Sequence, residues 1–463
     1  MLIGCEIELP LLPQDPERYR LNLLSLWEEI VEALGAPWQI EFDRQTHGIT
    51  GASQGSDHSL SAISYDASIV LLEFSLGPQE NLAALSAEWE RLSRPVRAVL
   101  ARHGIRALGY GMQPEIDIHA NGAYRTWCTP RGMYWHMPRR GWDHRWNLCR
   151  ASTQPSIDVP INEAADTLNF LEKILPLVQP LCANSSIERW TADPDIAERR
   201  DFLGWSQLMG QSVDRNMIGM PVRPYKDMND YLNQLFSLPL HTVTGDAGKA
   251  GKKARGIWLP AQPSLLEYIE KDAWEGILPD GQRIQVETKN PDWTIASIDW
   301  YCFRPARLRT RMKPVASWDA LRVALQTNPS ALLEKTFIEI RSIATQSPNE
   351  PLLPVALCLG LLRARPKLQQ WVDQWTWEEI RQFATTKAFR FDAWSAKLGE
   401  TAYADVARTL VETVSSMMAS DERHLLGGLH ERMEKRVSPA SLASKAVRSS
   451  RKDFLELVTY PAS

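Results

Sequence analysis

The chain has 463 residues, 44% apolar and 23% charged, a composition that excludes disorder and allows a large core in one to three domains. Its formal net charge is only −4, so neither nucleic acid nor an anionic membrane surface is expected as a partner. The six cysteines are far apart with no CxxC pair, which argues against a zinc ribbon or disulfide framework and for reduced thiols in a cytoplasmic protein.

Two acids interrupt the first eight residues, where a signal peptide would need an apolar stretch, and no apolar run reaches the roughly 18 residues of a membrane helix. Residues 2–10 alternate as a strand, with Ile3, Cys5, Ile7 and Leu9 on one face and Glu6 and Glu8 on the other. Residues 17–34 have helical spacing and stop at Gly35, a natural C-terminal cap. A second strand pattern lies in 61–75, around Ile69 to Glu73. A helix over 79–103 follows, with Pro95 inside it and Gly104 ending it, and then a strand from Ile105 to Gly111. Residues 147–159 read as a strand, and Asn162 to Cys182 as a helix with Asn162 as its cap.

Val243 to Gly256 is rich in Gly, Ala and Lys and predicts a mobile loop; its GxxGK lacks the spacing of a phosphate-binding P-loop. Residues 281–303 alternate as a hairpin, and Thr336 to Arg341 as a strand. From Leu352 onward the pattern is helical, ending in the basic residues Lys445, Arg448, Arg451 and Lys452, expected as a solvated tail. Trp371, Trp375 and Trp377 sit at helical spacing and are expected in the core. His119, His136 and His144 lack metal-site spacing, and Cys128 and Cys149 are expected as inert thiols rather than a redox pair. Strands interleaved with helices, without regular βαβ alternation, predict an α+β fold with an antiparallel sheet.

Three strand-like segments present acids on one face: Glu6 with Glu8, Asp66 with Glu73, and Glu339 followed by Arg341. Carboxylates from neighbouring strands suit Mg²⁺ (or Mn²⁺) held against the phosphates of ATP, with arginines taking up the remaining charge. Periodicity equally allows a solvated acidic face, a turn at Asp66, and a Glu339–Arg341 pairing across strands.

Taken in order, several segments resemble glutamate–cysteine ligases of the plant and proteobacterial type. Gly4-Cys5-Glu6-Ile7-Glu8-Leu9 resembles their opening G-x-E-x-E strand. Residues 51–78 resemble a Gln-Gly turn leading to an acid and a Glu-Leu-Ser-x-x-Pro strand end. Leu108 to Pro114 resembles L-G-x-G-x-Q-P, Thr129 to Tyr134 resembles P-K-G-R-Y, and Thr153-Gln154 with Asp158 resembles T-x-Q-x-x-x-D. Ala183-Asn184-Ser185 resembles A-N-S, and Phe337 to Arg341 resembles Y-L-E-x-R. These matches cover roughly residues 4–345.

The resemblance implies a curved antiparallel sheet forming a glutamine synthetase-like active-site funnel, surrounded by helices. A catalytic core over 1–345 is expected, with a variable hairpin insertion at 245–312 near the site, and a helical region over 346–463 packed on that core. It implies that ATP phosphorylates the γ-carboxylate of glutamate and that the amine of cysteine displaces phosphate. Carried over to this sequence, Glu6, Glu8, Asp66, Glu73 and Glu339 are the metal ligands. Glu73 and Arg341 are catalytic, with Arg341 toward phosphate or the donor carboxylate. Gln154 contacts metal or the amino-acid substrate, Asn184 contacts substrate, and Arg199 or Arg200 holds the donor α-carboxylate. Arg307 and Arg309, in the basic run from Arg304 to Arg311, cover ATP, or else form a solvated strand.

The chain departs from the family pattern at Asp66, where a Glu is usual, at Ser186, where a Pro is usual, and at Ser342-Ile343-Ala344. These departures bear on substrate identity. Two alternatives stay open: the same chemistry on another amine, a peptide or a biosynthetic intermediate, and a non-catalytic relative that binds a metabolite or a partner protein.

Overall fold

A computed structural model describes residues 1–43, 47–54, 60–115, 126–129, 148–186, 219–240, 242–246, 253–278, 281–288, 305–313 and 315–462. The first strand, β1 (Ile3–Pro13), is the centre of the architecture. Its alternation is the expected one: Ile3, Cys5, Ile7, Leu9 and Leu11 point into the core, and Glu6 and Glu8 share the opposite face. Helices α1 (Pro16–Leu21) and α2 (Leu23–Leu34) follow. The single helix expected over 17–34 is broken at Asn22, whose N–H bonds back to the carbonyls of Arg18 and Tyr19. Gly35 ends α2 at φ 76°, the left-handed region that favours glycine.

Strands β2 (Gln39–Phe42), β3 (Ile49–Ser53), β4 (Ala62–Tyr65) and β5 (Leu71–Gln79) form a meander. The one strand expected around 69–73 is thus two, separated by a turn that holds Asp66. Helix α3 (Leu82–Arg102) is capped by the Asn81 side chain on the Ala84 N–H, carries Pro95, and ends at Gly104 with φ 69°. Strand β6 (Ile105–Ala107) pairs with β1 and is shorter than expected, because the chain then turns away toward Asn184 and Val458.

Strand β7 (Thr153–Val159) runs into α4 (Ile161–Cys182) through Pro160, so Asn162 lies in the first turn rather than at the cap. After α5 (Met228–Phe236), strands β8 (Thr242–Asp246) and β9 (Lys253–Trp258) form a ladder where a loop was expected. Thr242 and Val243 pair with Trp258 and Ile257, an apolar register that outweighs the glycines. Strands β10 (Ala273–Ile277) and β11 (Arg283–Glu287) complete this four-stranded sheet. The strand expected to open a hairpin at 281–303 therefore pairs upstream, and residues 289–304 lie outside the described residues.

Strands β12 (Ala306–Met312) and β13 (Leu333–Ile340) close the main sheet. Its order is β12-β13-β7-β1-β5-β4-β3-β2, with β6 also on β1, and every pairing is antiparallel. One face is apolar, with Ile7, Phe74, Ile63, Ile157, Ile338 and Leu308 all at 0% exposure. Helices α3, α4 and α6 (Leu353–Val372) cover it. The fold is therefore α+β. After β13 the chain is helical apart from a two-residue ladder, and Tyr403 Oη donates to the Leu177 carbonyl of α4 at 2.8 Å. Trp375 is buried at 4%, with Trp371 against it edge-on and Trp377 packed on the same core.

The basic residues near 445–452 are not a loose tail. They lie on α7 (Pro439–Ser449) and α8 (Arg451–Val458), and Arg451 bonds Glu115. Beyond α8 the chain lies against the β6 end of the sheet. Gly109 N–H donates to the Val458 carbonyl at 2.7 Å, Tyr460 N–H to that of Ala107 at 2.9 Å, and Arg97 stacks over the Tyr460 ring. Among the described residues, no helix is long and apolar enough to cross a membrane.

Candidate active site

The polar face of the main sheet carries two poles of opposite charge. The acidic pole starts from strand register, because Glu8 of β1 faces Glu73 of β5 directly. Asp66 joins them from the β4–β5 turn, where its N–H bonds the Leu71 carbonyl and its own carbonyl accepts from the Thr129 hydroxyl. One carboxylate oxygen from each of Glu8, Asp66 and Glu73 lies within 4.8 Å of the others.

Glu8 is 6% exposed and its two oxygens are held separately. Ser152 donates its N–H (2.6 Å) and hydroxyl (3.1 Å) to Oε2, and Gln154 Nε2 donates to Oε1 at 2.6 Å. Burial pushes the Glu8 carboxyl well above the usual carboxylate range, and the charges of Asp66 and Glu73 push it further; the Ser152 N–H and Arg341 oppose them. Two buried acids and the half-buried Asp66 at this spacing repel one another, and a divalent cation removes that cost. The oxygen-only donor set fits Mg²⁺ or Mn²⁺.

The basic pole lies across β7. Glu339 on β13 faces Arg307 on β12 and is 1% exposed. It accepts from Arg307 Nε, from Arg309 Nε at 3.0 Å and from Arg341 Nη1 at 2.9 Å. Burial alone would raise its pKa, but the three guanidinium groups override that and hold the carboxyl well below the usual range. Three arginines on one carboxylate leave a formal surplus of two positive charges. Gln154 joins the poles: its Nε2 is on Glu8, and its Oε1 accepts from Arg341 Nη1 at 2.6 Å.

The expected residues thus divide. Glu8, Asp66 and Glu73 come together. Glu339 stands apart from them, with both oxygens on arginines. Glu6 lies on the same face, opposite Ser75 and Gln154, and its charge acts on Arg341. Arg307 and Arg309 are at the site rather than on a solvated strand.

Asn184, expected to touch substrate, is 2% exposed, and its Nδ2 donates to the carbonyls of Gly109 (3.0 Å) and Thr345 (2.7 Å). It joins two segments behind the site. Asn184→Ala is expected to lower unfolding free energy by about 1–3 kcal/mol in urea titration while leaving each KM unchanged, because two buried acceptors lose their donor. Arg199, Arg200, Arg304, the three histidines 119, 136 and 144, and residues 130–147 lie outside the described residues. Ser152 and Thr345 were not anticipated. Ser152 was within reach of the period-two pattern ending at Gln154, but Thr345, whose hydroxyl donates to the Glu8 carbonyl at 2.6 Å, carries no local signal.

An antiparallel sheet that carries an acid triad beside an arginine cluster is a surface on which a divalent cation and several anionic groups can be held side by side. The model of glutamate-cysteine ligase family 2 (GCS2) matches residues 47–448, and the chain belongs to this family. It is therefore an ATP-dependent carboxylate–amine ligase that forms amide bonds.

Among solved structures, the chain is similar to a glutamate–cysteine ligase from Francisella tularensis in complex with AMP. The identity is 13%, coverage is 98% of this chain and 86% of that one, and the TM-score is 0.49. A bifunctional glutathione synthetase from Pasteurella multocida matches at 10% identity, 98% and 51% coverage and a TM-score of 0.46. A complex of the prokaryotic ubiquitin-like protein Pup with its ligase PafA matches at 10% identity, 98% and 69% coverage and a TM-score of 0.34. No curated protein matches the sequence.

Proposed function

We propose that the enzyme transfers the γ-phosphoryl group of ATP to the γ-carboxylate of glutamate, and that the amine of cysteine then attacks the acyl phosphate. In the first step a carboxylate oxygen bonds to phosphorus and the bridging oxygen leaves with ADP. In the second the amine nitrogen bonds to the carbonyl carbon, phosphate leaves, and the nitrogen loses a proton. Both steps concentrate negative charge, so positioning and charge neutralisation carry the catalysis.

The observation that supports this reading is the pair of poles joined by Gln154. Glu8, Asp66 and Glu73 would hold Mg²⁺ or Mn²⁺, which supplies charge neutralisation to the phosphates. Arg341 reaches out of the basic pole toward the acid pole and takes an oxygen of the group in transfer. Arg307 and Arg309 hold Glu339, and through it fix Arg341, while facing the nucleotide with the surplus charge. Arg199 or Arg200 binds the donor α-carboxylate.

Purified protein with glutamate, cysteine and Mg²⁺ is expected to convert ATP to ADP and phosphate with formation of an amide, and to stop when the metal is chelated. Coupled ADP detection and chromatography of the amino acids check this. Release of AMP and pyrophosphate would exclude an acyl phosphate, and turnover that needs no divalent ion would exclude the metal role of the acid triad.

A further inference from the structure

Arg150 has no assigned part in the scheme above, yet it stands at the acidic pole. It lies where the chain enters extended backbone ahead of β7. Arg150 bridges Met112, the Ala151 N–H donates to the Gly111 carbonyl at 3.0 Å, and Ser152 bridges Ala344. Extended backbone has period two, so Arg150 shares a face with Ser152 and Gln154. That face is the polar one, because Ser152 and Gln154 both donate to Glu8, while Ala151 and Thr153 point into the core at 0% exposure.

The charges around Arg150 agree with this placement. It is close enough to Arg341 to be repelled and to Glu8 and Asp66 to be attracted; burial and Arg341 bring its guanidinium down to about 10 while the two acids oppose them. The acids alone do not explain two guanidinium groups that repel one another on one polar face. Three carboxylates, one divalent cation and Arg150 sum to zero, while Glu339 and Glu6 stand against Arg307, Arg309 and Arg341, so the formal charges of these groups together come to one positive charge, which favours an anion. Arg341 on Gln154, and Arg150 on the same polar face beyond Ser152, would bracket a place for an anion, and a guanidinium fork meets a carboxylate or phosphate with two parallel bonds.

We propose that Arg150 is a further substrate-binding residue, which grips an oxyanion of the reacting group from the acid-pole side, opposite Arg341. The inference rests on the ligase reading for the identity of that oxyanion, which is either a phosphoryl oxygen of the nucleotide or the carboxylate of the donor.

The experiment is calorimetric titration of the whole chain, wild type, Arg150→Met and Arg150→Lys, with sodium tripolyphosphate and separately with glutamate, at saturating Mg²⁺. Loss of a charged two-bond contact corresponds to about 10- to 100-fold weaker binding of one ligand in the Met variant. The Lys variant should recover part of it. Weakened tripolyphosphate binding marks the nucleotide as the source, and weakened glutamate binding marks the donor. Should the Met variant not fold, the Lys variant alone decides, since it keeps the charge and loses the fork. Wild-type affinity for both ligands in the folded variants, or no binding of either by the wild type, overturns the proposal. Wild-type binding that depends on Arg150, in a protein that does not turn over ATP, would overturn the ligase chemistry and leave the oxyanion site standing.

Discussion

Glu8→Gln is expected to lower kcat by roughly 10³-fold at saturating ATP and Mg²⁺, and to raise the Mg²⁺ concentration needed for half-maximal rate. The substitution is nearly isosteric, so the strand stays in register and its far-ultraviolet circular dichroism should not change. The chemistry changes at both oxygens. Glu8 accepts from Ser152 at one and from Gln154 at the other. A glutamine presents an NH₂ group at one of these positions, donor against donor, so either the Ser152 contacts or the Gln154 bridge is lost.

Gln154 also carries Arg341, so one change weakens the cation site and unseats the arginine that meets it. The pH behaviour gives an independent measure. A carboxyl raised by burial binds a proton more tightly in the folded chain than in the unfolded one. In metal-free wild type, stability should therefore fall as pH rises from the ordinary carboxylate range through the raised value of Glu8, and added Mg²⁺ should remove the slope. Glu8→Gln should be flat in the same window. A variant with wild-type rate and unaltered Mg²⁺ dependence would show that the acid triad has no part in turnover.

Glu339→Gln is expected to act on stability as much as on rate. In the wild type one buried carboxylate balances Arg307, Arg309 and Arg341. Removing the charge leaves three guanidinium groups around a neutral amide that can accept at only one end. Breaking a buried ion pair on one side costs about 3–5 kcal/mol, so the variant should unfold at markedly lower urea. Added phosphate should restore part of that loss, because an anion can take the vacated place, and the wild type should respond less. Rate should fall as well, since Arg341 loses the group that aims it. Equal urea midpoints for variant and wild type would show that the clasp holds little, and an activity loss without a stability loss would return Glu339 to a direct role in catalysis.

The acidic pole was half legible in the sequence. Alternation in β1 puts Glu6 and Glu8 on one face without any knowledge of neighbours, and the second strand-like segment offers Asp66 and Glu73, which the resemblance supports. Which of them meet is a matter of register, and register is long-range: the core positions of Ile7, Leu9, Leu72 and Phe74 decide only which face the acids share, and the β1–β5 ladder as a whole sets Glu8 opposite Glu73 rather than Ser75. The fate of Glu339 was hidden for the same reason. Its partner Arg307 is 32 positions away, across a helix, and only the β12–β13 ladder makes them opposite.

Asn184 shows a different limit. A polar residue in a short motif reads as a ligand contact, but its burial behind the sheet, which is tertiary, turns its amide to carbonyls. Elements with strong period and caps, such as α3 with Asn81 and Gly104, came through with boundaries nearly intact. The Gly- and Lys-rich stretch near β8 and β9 did not, because pairing with Trp258 and Ile257 overrides local composition.

The clasp of residues 458–460 on the Ala107–Gly109 turn has a consequence for the order of assembly. A chain emerging from a ribosome N-terminus first can bring β1, β5 and β7, and with them Glu8, Asp66, Glu73 and Gln154, together while more than half of it is still to be made. The turn that supports β1 from behind gains its anchor only when Val458 and Tyr460 arrive. The acids can be gathered early, and their floor is fastened well after them, once the arginine-bearing strands have also been made.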